Sequence, residues 1–391
     1  MPYEGSALDY NATVDSQSLK DEAKLSISAD GVAVTTLFDP LFIDFADVMS
    51  FEQQGYSAIV TTSYDRFTFD RLGNLLDAFC LELSQAFNDK VRKALFVQGD
   101  PTFETEGEFQ YEEPDAKAEG RARIEVYDDC VCLLPPDDQA RRIPFAFMNG
   151  LQKVDFELTL TLDGGERYRF IRLGTDTDPF EACIRAKLHT WREDALDAVR
   201  TLDGSLNPAQ LNTIATLMPQ GVAVPMGKLK AVAASYAAAL EAKITQSRAA
   251  DTYAALADLC DPDEICVGMK TDLAGEQEEN ILWFIAPSKT KPAAAVEFAV
   301  DEDAAAATFI YNTSADSESF VRRLNRAIEA IDFHREVISM PDDQLGSAEN
   351  SPYRMAVKRT ASLRFARENL AGRVIHSSPE SWNAGIRQYL C

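Results

Sequence analysis

The residues best suited to chemistry in this 391-residue chain include seven cysteines and three histidines. Cys130 and Cys132 place two thiols on one face of a predicted strand, and Cys260 and Cys266 flank the acidic stretch Asp261–Glu264. Four thiols from two places would in principle bind zinc, but neither pair has the separation of roughly two to four residues that structural zinc sites use. We therefore expect buried free cysteines and no metal.

The histidines and acid clusters form no recognisable catalytic set. His189, His334 and His376 each lie alone on or beside a predicted helix, which favours a solvated or partly packed imidazole. The stretches Asp261–Glu264 and Gly275–Asn280 would suit a divalent cation by charge, but their spacing fits no EF-hand loop. The chain also contains no P-loop, dinucleotide-binding glycine motif, nucleophile elbow or His-Glu-x-x-His. The sequence predicts no enzyme and no cofactor, although an unfamiliar enzyme site stays open.

Charge and composition limit the classes of partner. The formal net charge is −25, so the surface should repel nucleic acid and anionic lipid unless a local basic patch overrides its field. No run approaches the roughly eighteen apolar residues of a membrane-spanning helix, and no secretory signal is visible. Together with the cysteine usage, these features predict a cytoplasmic protein with reduced thiols.

An internal repeat organises the first half of the chain. The phrase "RLGNLLDAF", beginning at Arg71, returns as "RLGTDTDPF", beginning at Arg172. Before each copy, apolar and polar residues alternate in short runs separated by turn residues such as Asp30-Gly31 and Gly164-Gly165, which is typical of hairpins. After each copy, apolar residues recur at helical spacing. Each copy therefore predicts a junction between a sheet and a helix.

The junction residues are predicted to be structural. We expect the glycine of Arg-Leu-Gly to let the chain turn from the last strand into the helix. Asp178 is expected to be the N-cap of the second helix, with Pro179 at its first position, and Asp77 holds the equivalent place in the first copy. The junction residues are Arg71, Leu72, Gly73, Asp77, Phe79, Arg172, Leu173, Gly174, Asp178 and Phe180.

This element order resembles the pleckstrin-homology-like (PH-like) barrel, in which a C-terminal helix plugs one end of a barrel of short antiparallel strands. The chain is similar to uncharacterised bacterial proteins with tandem PH-like modules. The resemblance rests on element order and the repeat, and an unrelated small barrel or sandwich with a terminal helix is the alternative. It implies an α+β protein with tandem PH-like antiparallel barrels, each closed by a C-terminal helix, followed by a helical segment and a third α/β module.

The segment boundaries follow from these patterns. We expect an N-terminal arm at 1–20, PH-like modules at 21–97 and 103–200, a helical segment at 203–260, a third α+β module at 261–337 and a basic helical segment at 338–391. The third module lacks the Arg-Leu-Gly phrase, and a divergent PH-like unit is one interpretation of it.

The resemblance does not carry over a lipid site. PH domains that bind phosphoinositides collect Lys and Arg around the first hairpin. Here the corresponding turns hold Asp30 in one copy and Asp128 with Asp129 in the other, while Lys24 and Arg123 are isolated bases on the preceding strands. A phosphate pocket needs several converging donors. We therefore expect no phosphoinositide binding.

The last helices leave two roles open. They carry the bases Arg354, Lys358, Arg359, Arg364 and Arg367 beside an apolar stripe. One interpretation is an anion-binding tail that contacts nucleic acid or another anionic surface. The other is that the stripe packs on the body and the bases face the protein's own acidic surface.

Duplicated barrels without catalytic groups favour a non-enzymatic adaptor or scaffold. Such a protein would bind protein partners through the exposed face of a barrel, or through the groove between sheet and closing helix by strand addition to an open edge. The alternative is a nucleic-acid or anionic-surface binder that acts through the basic tail.

Overall fold

The computed structural model describes residues 9–37, 40–114, 116–247, 249–271, 280–299, 307–313 and 316–391. These residues form an α+β protein with three antiparallel sheets, two of seven strands and one of six. The chain divides into two compact units. Unit 1 comprises residues 1–187 and 340–361, and unit 2 comprises residues 188–339 and 362–391.

Unit 1 begins with a seven-stranded sheet and a helix, called module 1. Its elements are β1 (Tyr10–Asp15), β2 (Lys20–Ile27), β3 (Gly31–Thr35), β4 (Leu41–Asp44), β5 (Val48–Gln54), β6 (Ser57–Thr62), β7 (Arg66–Asp70) and α1 (Leu76–Ala94). The strand order is β4-β3-β2-β1-β7-β6-β5, so β1 joins two meanders by pairing with both β2 and β7.

The strand β1 lies within the stretch 1–20 that was expected to form an N-terminal arm, of which residues 1–8 lie outside the described residues. Its residues alternate between buried and exposed positions, with Tyr10, Ala12 and Val14 facing the core. Period-two alternation is the signature of a half-buried strand. The partner strand β7 that fixes this short stretch lies far along the chain.

Module 2 repeats the topology of module 1. Its elements are β8 (Phe103–Glu113), β9 (Ala116–Val126), β10 (Cys130–Leu134), β11 (Arg141–Pro144), β12 (Met148–Val154), β13 (Glu157–Leu162), β14 (Arg167–Ile171) and the beginning of α2 (Thr177–Leu202). The strand order β11-β10-β9-β8-β14-β13-β12 matches that of module 1 position for position. The repeat of sequence is therefore a repeat of strand order.

The Arg-Leu-Gly junction turns the chain through left-handed backbone. Gly73 and Gly174 both have φ of 61°, a conformation that glycine adopts without strain. Arg71 and Arg172 also have positive φ, at 62° and 58°. The left-handed backbone at the glycine therefore turns the chain, and the arginine two residues earlier has the same backbone conformation.

The expected N-cap is wrong in its detail. A 3-10 turn follows each Arg-Leu pair, at Gly73–Leu75 and Gly174–Asp176, and α2 begins at Thr177. Asp178 and its counterpart Asp77 therefore lie inside the first helical turn, where a carboxylate favours the positive end of the helix dipole. The extra 3-10 turn places the helix start before Asp178.

The apolar junction residues belong to the core of each module. Phe79 meets Phe69 edge-on with ring centroids 5.7 Å apart, and Phe180 meets Phe170 in the same way at 5.3 Å. Both helix phenylalanines are fully buried, and Leu72 and Leu173 are almost so. These contacts hold each helix against a strand of its own module.

Unit 2 contains helices before and after a meander of strands. Its elements up to residue 339 are α3 (Pro208–Leu217), β15 (Val224–Pro225), α4 (Met226–Val232), α5 (Ala234–Thr245), α6 (Ala250–Leu259), β16 (Cys266–Thr271), β17 (Asn280–Pro287), β18 (Ala293–Ala299), β19 (Ala307–Asn312), α7 (Ser317–Ala330) and α8 (Glu336–Ser339). Helices α4 to α6 share an apolar core with the sheet, centred on residues such as Tyr236, Leu240 and Phe284.

The segment 338–391, expected as one basic tail, is divided between the units. Helices α9 (Asp342–Leu345) and α10 (Ser351–Arg359) belong to unit 1. Helix α11 (Ala361–Asn369) begins at the boundary, and β20 (Leu370–Ile375) and α12 (Pro379–Leu390) belong to unit 2. Strand β20 completes the third sheet by pairing with β19.

The third sheet does not repeat the strand order of modules 1 and 2. Its order is β15-β16-β17-β18-β19-β20, a sequential meander rather than two meanders joined through a first strand. Among the described residues, no helix is long and apolar enough to cross a membrane.

Candidate functional site

The outer edge of β5 binds an extended segment from module 2. β5 is an edge strand of its sheet, and the backbone N–H of Phe51 donates to the carbonyl of Pro136 at 2.9 Å. Ser50 and Asp137 form an isolated antiparallel bridge beside this hydrogen bond. Through this single bridge the segment after β10 extends the edge of β5, and it is called the added strand below.

A buried arginine lies beside this added strand. Arg359 of α10 places its guanidinium 5.6 Å from the ring centroid of Phe87, and only 4% of the residue is exposed. Its Nε and Nη2 atoms have no hydrogen-bond partner among the described residues. Burial lowers the pKa of Arg359 to about 10, although the charges of Asp138 and Asp137 oppose that shift. The carboxylates of Asp137 and Asp138 therefore offset only part of the cost of burying the Arg359 charge.

A buried ion pair makes a second contact between the modules. Arg92 of α1 donates from Nε and Nη2 to the two carboxylate oxygens of Glu125 in β9, each at 2.8 Å. Tyr127 and Arg123 donate to the same fully buried carboxylate at 2.7 and 2.6 Å. Burial alone would raise the pKa of Glu125, but these donors outweigh it and hold the pKa below its ordinary value.

Module 1 also binds a helix, at an acidic corner. The corner is the segment Asp44–Asp47 between β4 and β5. Arg354 Nη2 donates to Asp44 at 2.8 Å, Lys358 Nζ donates to Asp47 at 3.1 Å, and the Ser351 hydroxyl donates to Asp44 at 2.8 Å. Helix α10 is thus held by charge-assisted hydrogen bonds.

The residues proposed as an anion-binding tail have different surroundings. Arg354 and Lys358 are ion-paired within unit 1, and Arg359 is buried there. Arg367 of unit 2 donates to the carbonyl of Val337 at 2.5 Å, whereas Arg364 is exposed on α11. Three of the five bases therefore belong to unit 1 and two to unit 2.

Module 2 presents the counterpart of the β5 edge. β12 is the edge strand of its sheet, and no described strand or isolated bridge pairs with its outer side. Leu151 pairs with Leu160 as Phe51 pairs with Val60, so Leu151 holds the position whose N–H binds the added strand in module 1. This edge is the candidate functional site.

An open groove lies beside the turn that follows this edge strand, where two apolar side chains are exposed. Val154 at the end of β12 is 65% exposed and Phe156 in the following turn is 77% exposed. The groove has a volume of about 770 Å³, and its lining residues are Phe156, Glu157, Ile171, Arg172, Gly174, Thr175, Thr177 and Asp178. Six of these are repeat-junction residues or their immediate neighbours.

The charges around the groove are paired within the module. Lys153 contacts Asp178, and it contacts Glu181 at 3.2 Å. Arg172 contacts Glu108. With its cations matched by carboxylates, the groove offers no cluster of converging donors for phosphate.

The acids of the first hairpin turns are also paired internally. Asp30 contacts Lys90 of α1 at 2.5 Å, Asp128 contacts Lys187 of α2 at 2.5 Å, and Asp129 contacts Arg142 at 2.6 Å. These pairs connect the hairpin turns to other parts of their modules.

Unit 2 contains a buried polar cluster that sequence reasoning missed. The Thr308 hydroxyl donates to Glu297 at 2.5 Å and accepts from Trp382 Nε1 at 2.8 Å. His376 Nε2 lies 3.2 Å from the same Glu297 oxygen. The sequence predicts an isolated His376, and this prediction is wrong. The available signal was Glu297 itself, a single acid inside the apolar strand "AAAVEFA".

This cluster satisfies a buried carboxylate rather than exposing a nucleophile. Thr308 is fully buried and only 3% of the Glu297 side chain is exposed. Since a buried carboxylate needs hydrogen-bond donors, Thr308 and His376 account for its presence in the sheet. Trp382 anchors α12 to the same point.

The remaining candidate residues form no metal site among the described parts of the chain. No group of three or more His, Cys, Asp or Glu side chains there has the geometry to hold an ion. Cys130 and Cys132 are buried in unit 1, and Cys260 and Cys266 are buried in unit 2. Residues 261–264 form an exposed turn, and residues 275–279 of the second acid cluster lie outside the described residues.

The other two histidines are not brought to any of these sites. His189 is exposed on α2. The ring Nδ1 of His334 lies 3.0 Å from the carbonyl of Ile331, within hydrogen-bonding distance.

Comparison with known proteins gives little beyond this geometry. No protein-family model matches the chain, and no curated protein matches its sequence. One similar solved structure is described as "Structure of the Spt16D Pob3N heterodimer". The match covers 45% of this chain and 100% of that one, at 10% identity and a TM-score of 0.17. Similarity at this level establishes neither a family nor a function.

Proposed function

We propose that this chain is a non-enzymatic adaptor that binds protein partners through two PH-like modules. Support for the PH-like assignment comes from the shared strand order and the helix that follows each last strand. Support for the adaptor comes from module 1, which binds an extended segment at β5 and a helix at its acidic corner. Both ligands of module 1 are segments of its own chain.

The observation that carries the proposal is the difference between the two equivalent edges. The β5 edge is occupied by residues 136–137, whereas the outer side of β12 has no pairing strand among the described residues. An unpaired edge offers a row of backbone donors and acceptors to another strand. Module 2 would therefore bind a partner's extended segment as module 1 binds its own.

The surroundings of β12 favour an uncharged, apolar segment. Val154 and Phe156 are exposed beside the edge, and the neighbouring cations Lys153 and Arg172 are matched by carboxylates. A strand on β12 would place alternate side chains against the exposed apolar surface. The partner is therefore a protein that presents an extended segment with apolar side chains.

Photocrosslinking tests this proposal. Benzoylphenylalanine in place of Phe156 should crosslink a discrete partner in native cell extract, and mass spectrometry identifies the contacted segment. That segment, made as a synthetic peptide, should bind the full chain and lose about tenfold or more in affinity with Phe156→Lys, as for a central interface aromatic. Tyr56→Lys is the matched control, because Tyr56 is an exposed aromatic in the equivalent turn of module 1.

Three outcomes would contradict the proposal. They are the absence of any crosslinked protein, crosslinking to a second copy of this chain, and peptide binding that Phe156→Lys leaves unchanged. Turnover of a substrate that a groove substitution abolishes would contradict the non-enzymatic assignment.

The alternative, anionic-surface binding through the basic tail, has less support. Arg354 and Lys358 already bind Asp44 and Asp47, and Arg359 is buried. A base that is ion-paired within its own chain would have to exchange that partner for an external phosphate.

A further inference from the structure

Three distant segments of unit 2 meet at the turn that follows β17. The backbone of Cys260 pairs with that of Ser288 as an isolated antiparallel bridge. The hydroxyls of Ser288 and Thr290 both donate to the carbonyl of Leu390, at 2.6 and 2.8 Å. Cys391 follows Leu390 directly, so Ser288 links the neighbourhoods of two cysteines that are far apart in sequence.

The two thiols differ in their access to solvent. Cys260 is fully buried at the end of α6, whereas Cys391 is exposed after the last turn of α12. Burial is the main cause that raises the pKa of Cys260 to about 12; the charge of Lys289 opposes this shift and the Cys391 thiol adds to it. The backbone bridge from Cys260 to Ser288 and the hydrogen bond from Ser288 to Leu390 bring both cysteines to the same turn.

We propose that Cys260 and Cys391 form a disulfide when the protein meets a peroxide. The exposed Cys391 thiol reacts first: its sulfur attacks the peroxide, the O–O bond breaks, and sulfenic acid and water form. The Cys260 sulfur then attacks the sulfur of that sulfenic acid, loses its proton and releases a second water as the S–S bond forms. Two thiols are oxidised by two electrons, and one hydrogen peroxide is reduced to two waters.

The bond would fix the end of α12 to the body of unit 2. The existing contact is a set of hydrogen bonds, which includes one from Lys291 Nζ to the carbonyl of Gln388 at 3.0 Å. Side-chain hydrogen bonds to the last carbonyls break and reform with fraying of the helix end. A covalent link removes that freedom, and thiol reductants restore it.

Mass spectrometry of the full-length chain tests the inference. The protein is treated with hydrogen peroxide in small molar excess, alkylated and digested without reductant. The expected product is a crosslinked peptide pair that contains Cys260 and Cys391, two hydrogens lighter than the sum of its peptides. Dithiothreitol should separate the pair.

Cysteine variants supply the controls and the contrary results. Cys391→Ser should abolish the product, while Cys132→Ser should leave it intact because Cys132 is buried in unit 1. Should Cys260→Ser impair folding, Cys391→Ser alone still decides the matter. Oxidation of Cys391 to sulfinic acid without a link, a link only between two chains, or an unreacted Cys391 would each overturn the proposal.

Discussion

Single buried acids mark the points where distant parts of this chain meet. Glu125 lies in β9 and Glu297 in β18, and both are almost completely buried. Each is satisfied by donors from other elements: Arg92 of α1 for Glu125, and Thr308 and His376 for Glu297. A lone acid in an apolar strand thus predicts a buried polar contact, but local patterns do not identify its partner, which the tertiary fold supplies.

The Glu125 ion pair should make unit 1 sensitive to acid. Since its folded pKa is lowered, the stabilisation is complete above the ordinary value of 4.5 and is lost as the pH falls through the lower folded value. Glu125→Gln should cost about 1.5–3 kcal/mol at neutral pH, because Arg92 and Arg123 lose a buried carboxylate as hydrogen-bond acceptor, although Arg92 keeps its contact with Asp89. Urea unfolding at a series of pH values measures this cost.

The difference between the wild type and Glu125→Gln should shrink below pH 4.5. Glu119→Gln is a suitable control because Glu119 lies on the same strand and is exposed. A difference that stays constant from pH 7 to pH 3 would show that the charge of Glu125 contributes nothing.

At the scale of elements, the spacing of apolar residues predicts the repeated strands and helices better than it predicts where they begin and end. Hairpins and closing helices follow from the alternation of apolar residues before Arg71 and Arg172 and the helical spacing after them. The strand β1 was missed because its pairing with β7 is long-range. Each helix begins before the predicted N-cap residue, because a 3-10 turn precedes it. No local sequence pattern predicts that turn.

The ion pairs at the acidic corner indicate that charge holds α10 in place. Arg354→Asp should release α10 from Asp44, with a loss of about 2 kcal/mol that reflects charge-assisted hydrogen bonds and new repulsion. Hydrogen exchange of the amides of residues 351–359 should then accelerate. The swap Asp44→Arg with Arg354→Asp should restore most of the protection, and equal exchange in the single and double variants would refute the electrostatic account.

At the scale of the whole molecule, the chain passes between the two units three times, after residues 187, 339 and 361. Composition predicts the segment boundaries, and the excess of basic residues groups 338–391 into one segment. The structure separates them because Arg354 finds its acid 310 residues away, in module 1. Such a pairing is a property of the tertiary fold, and the local sequence around either residue does not predict it.

Removal of residues 351–391 should therefore damage both units. Unit 1 would lose α10, and unit 2 would lose β20 and α12. We expect a lower Tm for residues 1–350 and faster hydrogen exchange both around Asp44–Asp47 and along β19. Full-length protein with Arg364→Ala, a change at an exposed position, is the control. Unchanged exchange at both places in the shortened chain would contradict this expectation.

The late position of α10 also has a consequence for biosynthesis. A ribosome releases modules 1 and 2 long before it has translated residues 351–359, and domains generally begin to fold as they emerge. During that interval the nascent chain carries an acidic corner without its helix, and the Phe87 ring without Arg359 above it. Module 1 is therefore translated well before α10 but completed only after it.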